Sequence, residues 1–302
     1  NFMKKIIFIS LFILILVNLI NNYFYLMQFN DYIAFLELYL SRDNYIAYPQ
    51  RAYLIISAIL IYPFFLIYLL FKFESLKKSY HELDKLNKIS IIVIFFLFLL
   101  SIISENTYAW QKDTMIINFY REDNLLEHIT TLFALTASYI LIKSIIYTNG
   151  KCEIFTKLFV SILFFLFAME EISWGQRIFD WDTPSKITAI NLQNETNFHN
   201  LLNKYFYLLF YPIFNFTLTL FLLISIYFRK YVINFFKSEK YIYLLPLYKF
   251  EIYILIFYIN IFFSIWSPNG GELTEEIFSI FILMYSIDQL TISNNKKQAI
   301  HN

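Results

Sequence analysis

Apolar residues in this chain fall into long runs broken by short polar stretches, and the runs are the dominant signal. Eight stand out: Ile6–Ile20, Ala52–Phe71, Ile89–Ser104, Leu125–Ile146, Leu158–Trp174, Tyr205–Phe228, Phe250–Trp266 and Leu273–Leu290. About 20 helical residues at about 1.5 Å each cross a hydrocarbon core of about 30 Å. The second and sixth runs reach that length alone, and the others need flanking residues or tilt. The pattern predicts an all-α fold, a polytopic bundle of about eight transmembrane helices forming a single domain over residues 1–302. Pro63 and Pro212 are expected to kink their helices, which membrane helices tolerate. No internal repeat is visible.

The first run resembles a signal sequence, because Met3, Lys4 and Lys5 precede it. The stretch 18–25 offers no small-residue cleavage site, so an uncleaved anchor is expected. Met3 reads as the start, with Asn1 and Phe2 as carry-over.

Composition agrees with the runs. The 302 residues are 59% hydrophobic and 16% charged, with a mean hydropathy of +0.54. A soluble domain of this size could not bury so much apolar surface. The single cysteine, Cys152, excludes an intrachain disulfide and a thiolate metal cluster. The net charge of +1 gives no electrostatic footprint for nucleic acid.

That small total hides a division. With alternating topology, 17 of the 24 basic residues fall on the side of both termini, with 7 of the 23 acids. The other side holds 7 basic and 16 acidic residues, so the two sides carry +10 and −9. Basic excess marks the cytoplasmic side, which places both termini there. A bacterial cytoplasmic membrane is the expected location.

Four polar clusters converge on the acidic side. They are Arg121–Glu122–Asp123 with Glu127–His128, then Glu170–Glu171 with Arg177, then Asn191 to Asn200, then Glu272 with Glu275–Glu276. Glu170 is 12 residues beyond Leu158, which puts it about 18 Å along the helix and below the outer interface. Carboxylates at such depth are costly unless paired, hydrated, protonated or metal-bound. Together they predict an outward-facing polar cavity.

The chemistry follows from the residue types. Glu195 and His199 share a helix face at i, i+4. With Glu127 and His128 they form a candidate ligand set for a divalent metal, Zn²⁺, Mn²⁺ or Fe²⁺. Glu170, Glu171, Glu275 and Glu276 are candidate general bases, and Arg177 a charge stabiliser. Each cluster also has a plainer reading. Acids at a helix start, such as Glu275–Glu276, complement the macrodipole. Arg177 can simply neutralise Glu170, and Trp174 and Trp181 can anchor the interface.

The stretch 175–204 contains Asp182–Thr183–Pro184, a helix-start signal. It is expected to form an interfacial or re-entrant segment covering the cavity on the outer face. The expected function is a metal-dependent hydrolase or transferase acting on a lipid-linked or membrane-proximal substrate. The alternatives are an ion- or proton-coupled transporter and a structural or assembly subunit. Transport requires polar residues continuing inward, and Thr130, Thr131, Thr136, Ser138, Ser161 and Asp288 are few.

The run Ala168 to Pro184, containing EEISWGQR, followed by NLQNETNFHN at 191–200, resembles a family of uncharacterised bacterial multi-pass membrane proteins. The resemblance extends over about residues 120–280 through Leu125–His128 and Glu272–Glu276, and it implies no particular reaction. Glu170–Glu171 followed by Arg177, with a downstream His199, is also similar to the pattern of CAAX-type intramembrane proteases. The spacing to Arg177 is wider here, and those enzymes commonly work near the cytoplasmic side.

Overall fold

The computed structural model describes residues 72, 74–108, 125–179, 181–188, 196–198, 210–229, 231, 234, 245–266 and 270–301. All of them fall within one compact unit, Leu54–Asn302. The expected runs at 6–20 and 52–71 lie outside the described residues.

Among the described residues the chain is helical. The elements are α1 (Lys85–Tyr108), α2 (Leu125–Ile145), α3 (Lys151–Glu171), the short α4 (Gln176–Phe179) and α5 (Ser185–Thr188), α6 (Phe210–Tyr227), α7 (Glu251–Trp266) and α8 (Gly270–His301). Four of them, α2, α3, α6 and α8, are long and apolar enough to cross a membrane. This is a membrane protein with an all-helical described part.

The helix bounds refine those read from hydropathy. α3 starts at Lys151, seven residues before the apolar run, because Gly150 ends the preceding turn and Glu153 favours a helix start. It stops at Glu171, short of Trp174. α8 extends well past Leu290, since its polar end is helical too and is pinned sideways. Lys296 lies 3.8 Å from Glu153, and Lys297 sits over the Tyr147 ring. Pro212 is accommodated within α6.

α8 is the central element. It packs most extensively on α2 and also touches α7, α1 and α6, while α2 packs on α3 and α6 on α7. Small residues let α2 approach closely: Ala134, Ala137, Ser138 and Ser144 are all buried. Ser138 and Ser161 exchange hydrogen bonds across α2 and α3 at 2.9–3.0 Å. Phe281 of α8 anchors the α7 contact, with Phe250, Tyr253 and Phe257 packed around it at centroid distances of 5.1–5.9 Å. The outward face of α3 exposes Phe155, Phe159, Ile162 and Leu163, as lipid contact requires.

Charges sort by helix end. Lys85, Lys151 and Lys249 lie at or beside the starts of α1, α3 and α7, and Lys143 and Arg229 at the ends of α2 and α6. Glu127 starts α2, Glu170–Glu171 end α3, and Glu272, Glu275 and Glu276 start α8. Antiparallel packing therefore gathers the acids at one end of the bundle, which is called the acidic end below.

Candidate functional site

Glu171 is the last residue of α3 and is 4% exposed. Its carboxyl hydrogen-bonds with that of Glu275 in α8, and the charges of Glu272 and Glu127 also reach it. The Tyr211 hydroxyl of α6 donates to Glu275 Oε1 at 2.7 Å. Three sequence-distant helices thus meet in one Glu–Glu–Tyr group, in which Glu171 is buried and Glu275 and Tyr211 are half-buried. Two ionised carboxylates cannot hydrogen-bond to each other, so a proton must lie between Glu171 and Glu275.

Tyr211 is placed by a glycine. A Cβ on Gly271 would come within 2.7 Å of the Tyr211 ring, so only glycine leaves room for the ring at the α8 start. The hydroxyl then reaches Glu275, one helical turn along.

An aromatic floor lies directly beneath. Phe167 is one turn inward of Glu171, Phe214 one turn inward of Tyr211, and Phe278 one turn inward of Glu275. Phe278 packs edge-on against Phe167 at 5.0 Å and against Phe214 at 5.1 Å. Each helix that brings a polar group to the site thus closes the space below it with a ring.

Beside the floor is a polar triad. Asn260 of α7 donates to Thr274 Oγ1 at 2.7 Å and to Asn215 Oδ1 at 3.3 Å. Asn215 donates to Thr274 Oγ1 at 3.1 Å and to the Tyr211 carbonyl at 3.0 Å. All three residues are fully buried, and the network ties α6, α7 and α8 together behind Tyr211.

The segment after α3 makes an abrupt left-handed turn. Ser173, Trp174 and Gly175 have φ of 47°, 57° and 80°. Non-glycine residues adopt such φ at a cost, about 1–3 kcal/mol each, when surrounding contacts hold them. Here Glu170 Oε1 accepts from Trp174 Nε1 at 2.6 Å, and Glu170 Oε2 accepts from the Phe198 amide. Asn197 Nδ2 donates to Ser173 Oγ at 3.2 Å, and the Thr196 amide donates to Gln176 Oε1 at 2.9 Å. Gln176 and Thr183 also bond each other. The two motifs that stand out in the sequence are therefore halves of one clasp, which fixes the α3 end and so the position of Glu171.

The expected site residues separate into groups. Glu171 and Glu275 come together with Tyr211, and Glu127 and Glu272 are near enough for their charges to reach Glu171. Glu276 is buried nearby with a different environment. Glu170 holds the clasp instead. His128 is exposed. Arg177 has its backbone in α4, but its side chain, like Glu195 and His199, lies outside the described residues. Among the described residues no three His, Cys, Asp or Glu side chains are close enough to hold a metal ion.

Sequence reasoning missed Tyr211, the Asn215–Asn260–Thr274 triad and the aromatic floor. Asn215 and Asn260 were findable, being amides in the middle of apolar runs. Tyr211 had no such mark, because tyrosine is common throughout this chain.

The chain's place among known proteins adds nothing to this geometry: no family model matches it, and no curated protein or solved structure is similar to it.

Proposed function

We propose that the protein is a membrane-embedded hydrolase or transferase acting on a lipid-linked or membrane-proximal substrate, with Glu171 and Glu275 as its acid–base pair. The observation that carries this reading is the hydrogen bond between the buried Glu171 carboxyl and that of Glu275, joined by Tyr211. The ionised member accepts a proton from the attacking hydroxyl, of water in hydrolysis or of an acceptor in transfer. The protonated member gives its proton to the leaving oxygen. The pair ends with one proton, as it began, and general acid–base catalysis of this kind contributes about 10²–10⁴-fold. Tyr211 keeps Glu275 oriented.

The aromatic floor favours chemistry over conduction. Buried serines of α8 continue toward the other end, but Ser279, Ser286 and Ser293 donate back to carbonyls of their own helix. The route is filled by Phe167, Phe214 and Phe278 and by hydroxyls already satisfied. By the basic excess at the opposite end, the site faces outward from a bacterial cytoplasmic membrane, with both termini inside. In a metal-assisted form of the reading, Glu127, His128, Glu195 and His199 would hold a divalent ion, which would supply a Lewis acid to the same acid–base chemistry.

The test compares membrane lipid and lipid-linked species in cells expressing wild type, Glu171→Gln or Glu275→Gln. Wild type is expected to change the level of at least one species, and both variants to reduce that change at least a hundredfold. Unaltered profiles in all three strains, together with proton or ion flux through wild-type proteoliposomes, would replace the enzyme with a transporter.

A further inference from the structure

Glu276 is the buried carboxyl that the acid–base pair does not use. It lies in α8, about 9 Å along the axis from Gly270, and is 5% exposed. Neither of its oxygens has a hydrogen-bond partner among the described residues. The charge that reaches it is that of Glu275, which has the same sign. Its helix neighbours on the buried side are Leu273, Ile277 and Ile280. An ionised carboxyl in such surroundings calls for a cation or a donor.

A second, independent acceptor shows the same deficit. Asn260 is fully buried, and its amide nitrogen is engaged by Thr274 and Asn215, yet its Oδ1 has no partner among the described residues. Both orphans are acceptors and both belong to the acidic half of the bundle. Thr274 and Glu276 face about 200° apart on α8, so the two deficits are separate: Asn260 lacks a donor, and Glu276, the carboxyl, lacks a positively charged one.

Two kinds of cation could answer. A divalent metal needs three or more ligands converging on one point, and the described acids and histidines offer no such trio. An ammonium group is donor-only, and each of its N–H bonds can take a separate acceptor. A single buried carboxylate is enough to pair with it, and Glu276 supplies one.

We infer that the site takes a substrate bearing a primary amine, whose ammonium group is received by Glu276. This rests on the reading of Glu171–Glu275 as the reacting pair and names the class of molecule brought to it. The amine could belong to a lipid headgroup or to a soluble molecule entering from the acidic side.

The experiment is native mass spectrometry of the full chain, released from detergent with equimolar phosphatidylethanolamine and phosphatidylglycerol, and separately with ethanolamine. Wild type is expected to retain phosphatidylethanolamine or ethanolamine at least tenfold over phosphatidylglycerol. Glu276→Gln, nearly the same shape without the charge, is expected to lose that preference, and Glu82→Gln at the opposite end to keep it. Selective retention of the lipid assigns the amine to a headgroup, and retention of ethanolamine alone assigns it to a soluble substrate. Equal retention of both lipids without ethanolamine binding, or a preference unchanged in Glu276→Gln, overturns the proposal. So does a stoichiometric divalent ion that Glu276→Gln releases. If Glu171→Gln abolishes the cellular lipid change but the amine preference never appears, this inference fails and the acid–base reading stands. If the preference appears but Glu171→Gln is silent, the reverse holds.

Discussion

The two ends of the bundle treat buried charge in opposite ways. At the basic end each buried cation meets an anion. Lys157 is fully buried, yet it lies 3.0 Å from Glu153 and donates to Thr148 and Ser293 at 2.7 and 2.6 Å. Lys249 pairs with Asp288, and the buried Glu251 accepts from Ser75 at 2.9 Å. At the acidic end carboxyl meets carboxyl, and Glu276 meets nothing among the described residues. Opposite charges in contact hold helices together. Two acids in contact must hold a proton that each would otherwise give up near neutral pH, which raises the free energy of the fold, and they persist where something other than stability maintains them. The contrast separates scaffold from site without reference to any relative.

The sharpest way to break that contrast is to compare Lys157→Met with Glu171→Gln. The first removes the cation from a buried pair and leaves Glu153, among the described residues, with the more distant Lys296. Breaking a buried pair on one side costs about 3–5 kcal/mol. The second replaces a carboxyl by an amide that still donates to Glu275 and needs no shared proton to do so, so the thermal midpoint in detergent is expected to hold or rise. Equal losses in the two variants would mean that both ends are scaffold.

Much of this division was legible in the sequence, and the reasons it was incomplete are physical. Counting charges by loop placed the acids together because hydropathy fixes which loop belongs to which side. It counted Lys157 as a cytoplasmic loop residue, because a lysine ahead of an apolar run looks like a flank. Its burial depends on Thr148 and Ser293, which only the packed helices bring near. Adjacent carboxyls also looked equivalent. Glu170 and Glu171 differ by about 100° around the helix, enough to send one to the clasp and the other to Glu275. The left-handed turn at Ser173–Trp174–Gly175 carried only the mark of Gly175, since serine and tryptophan give no sign of positive φ.

A smaller effect sharpens the role of Tyr211. Tyr211→Phe keeps the ring against Gly271 and removes only the donor to Glu275. A hydrogen bond to a charged or shared-proton carboxyl is worth about 1.5–3 kcal/mol, so activity is expected to fall about tenfold or more, with the fold intact. Gly271→Ala should act through the same bond, because its methyl carbon would displace the ring. A lipid-change assay on both variants checks this, and a Phe variant as active as wild type would remove Tyr211 from the site.

The smallest expected effect is at the basic end, where stability should depend on pH in the manner of an ordinary paired acid. Asp84 precedes α1 and accepts from the Asn87 amide at 2.8 Å and from Asn87 Nδ2 at 3.0 Å. Partial burial pushes its carboxyl up. The Asn87 bonds, the Lys249 charge and the Leu86 amide outweigh that and hold it below the usual carboxylate range. A carboxyl depressed by folding stabilises the fold above its unfolded pKa, and the contribution is lost as pH falls through the folded value. Asp84→Asn keeps an acceptor for the helix start, so near neutral pH it should cost less than about 1 kcal/mol. The difference in thermal midpoint between wild type and Asp84→Asn should be constant above about pH 5 and shrink below about pH 4. A difference that grew in acid would mean that Asp84 is strained by its neighbours, and the basic end would no longer be the relaxed partner in the comparison.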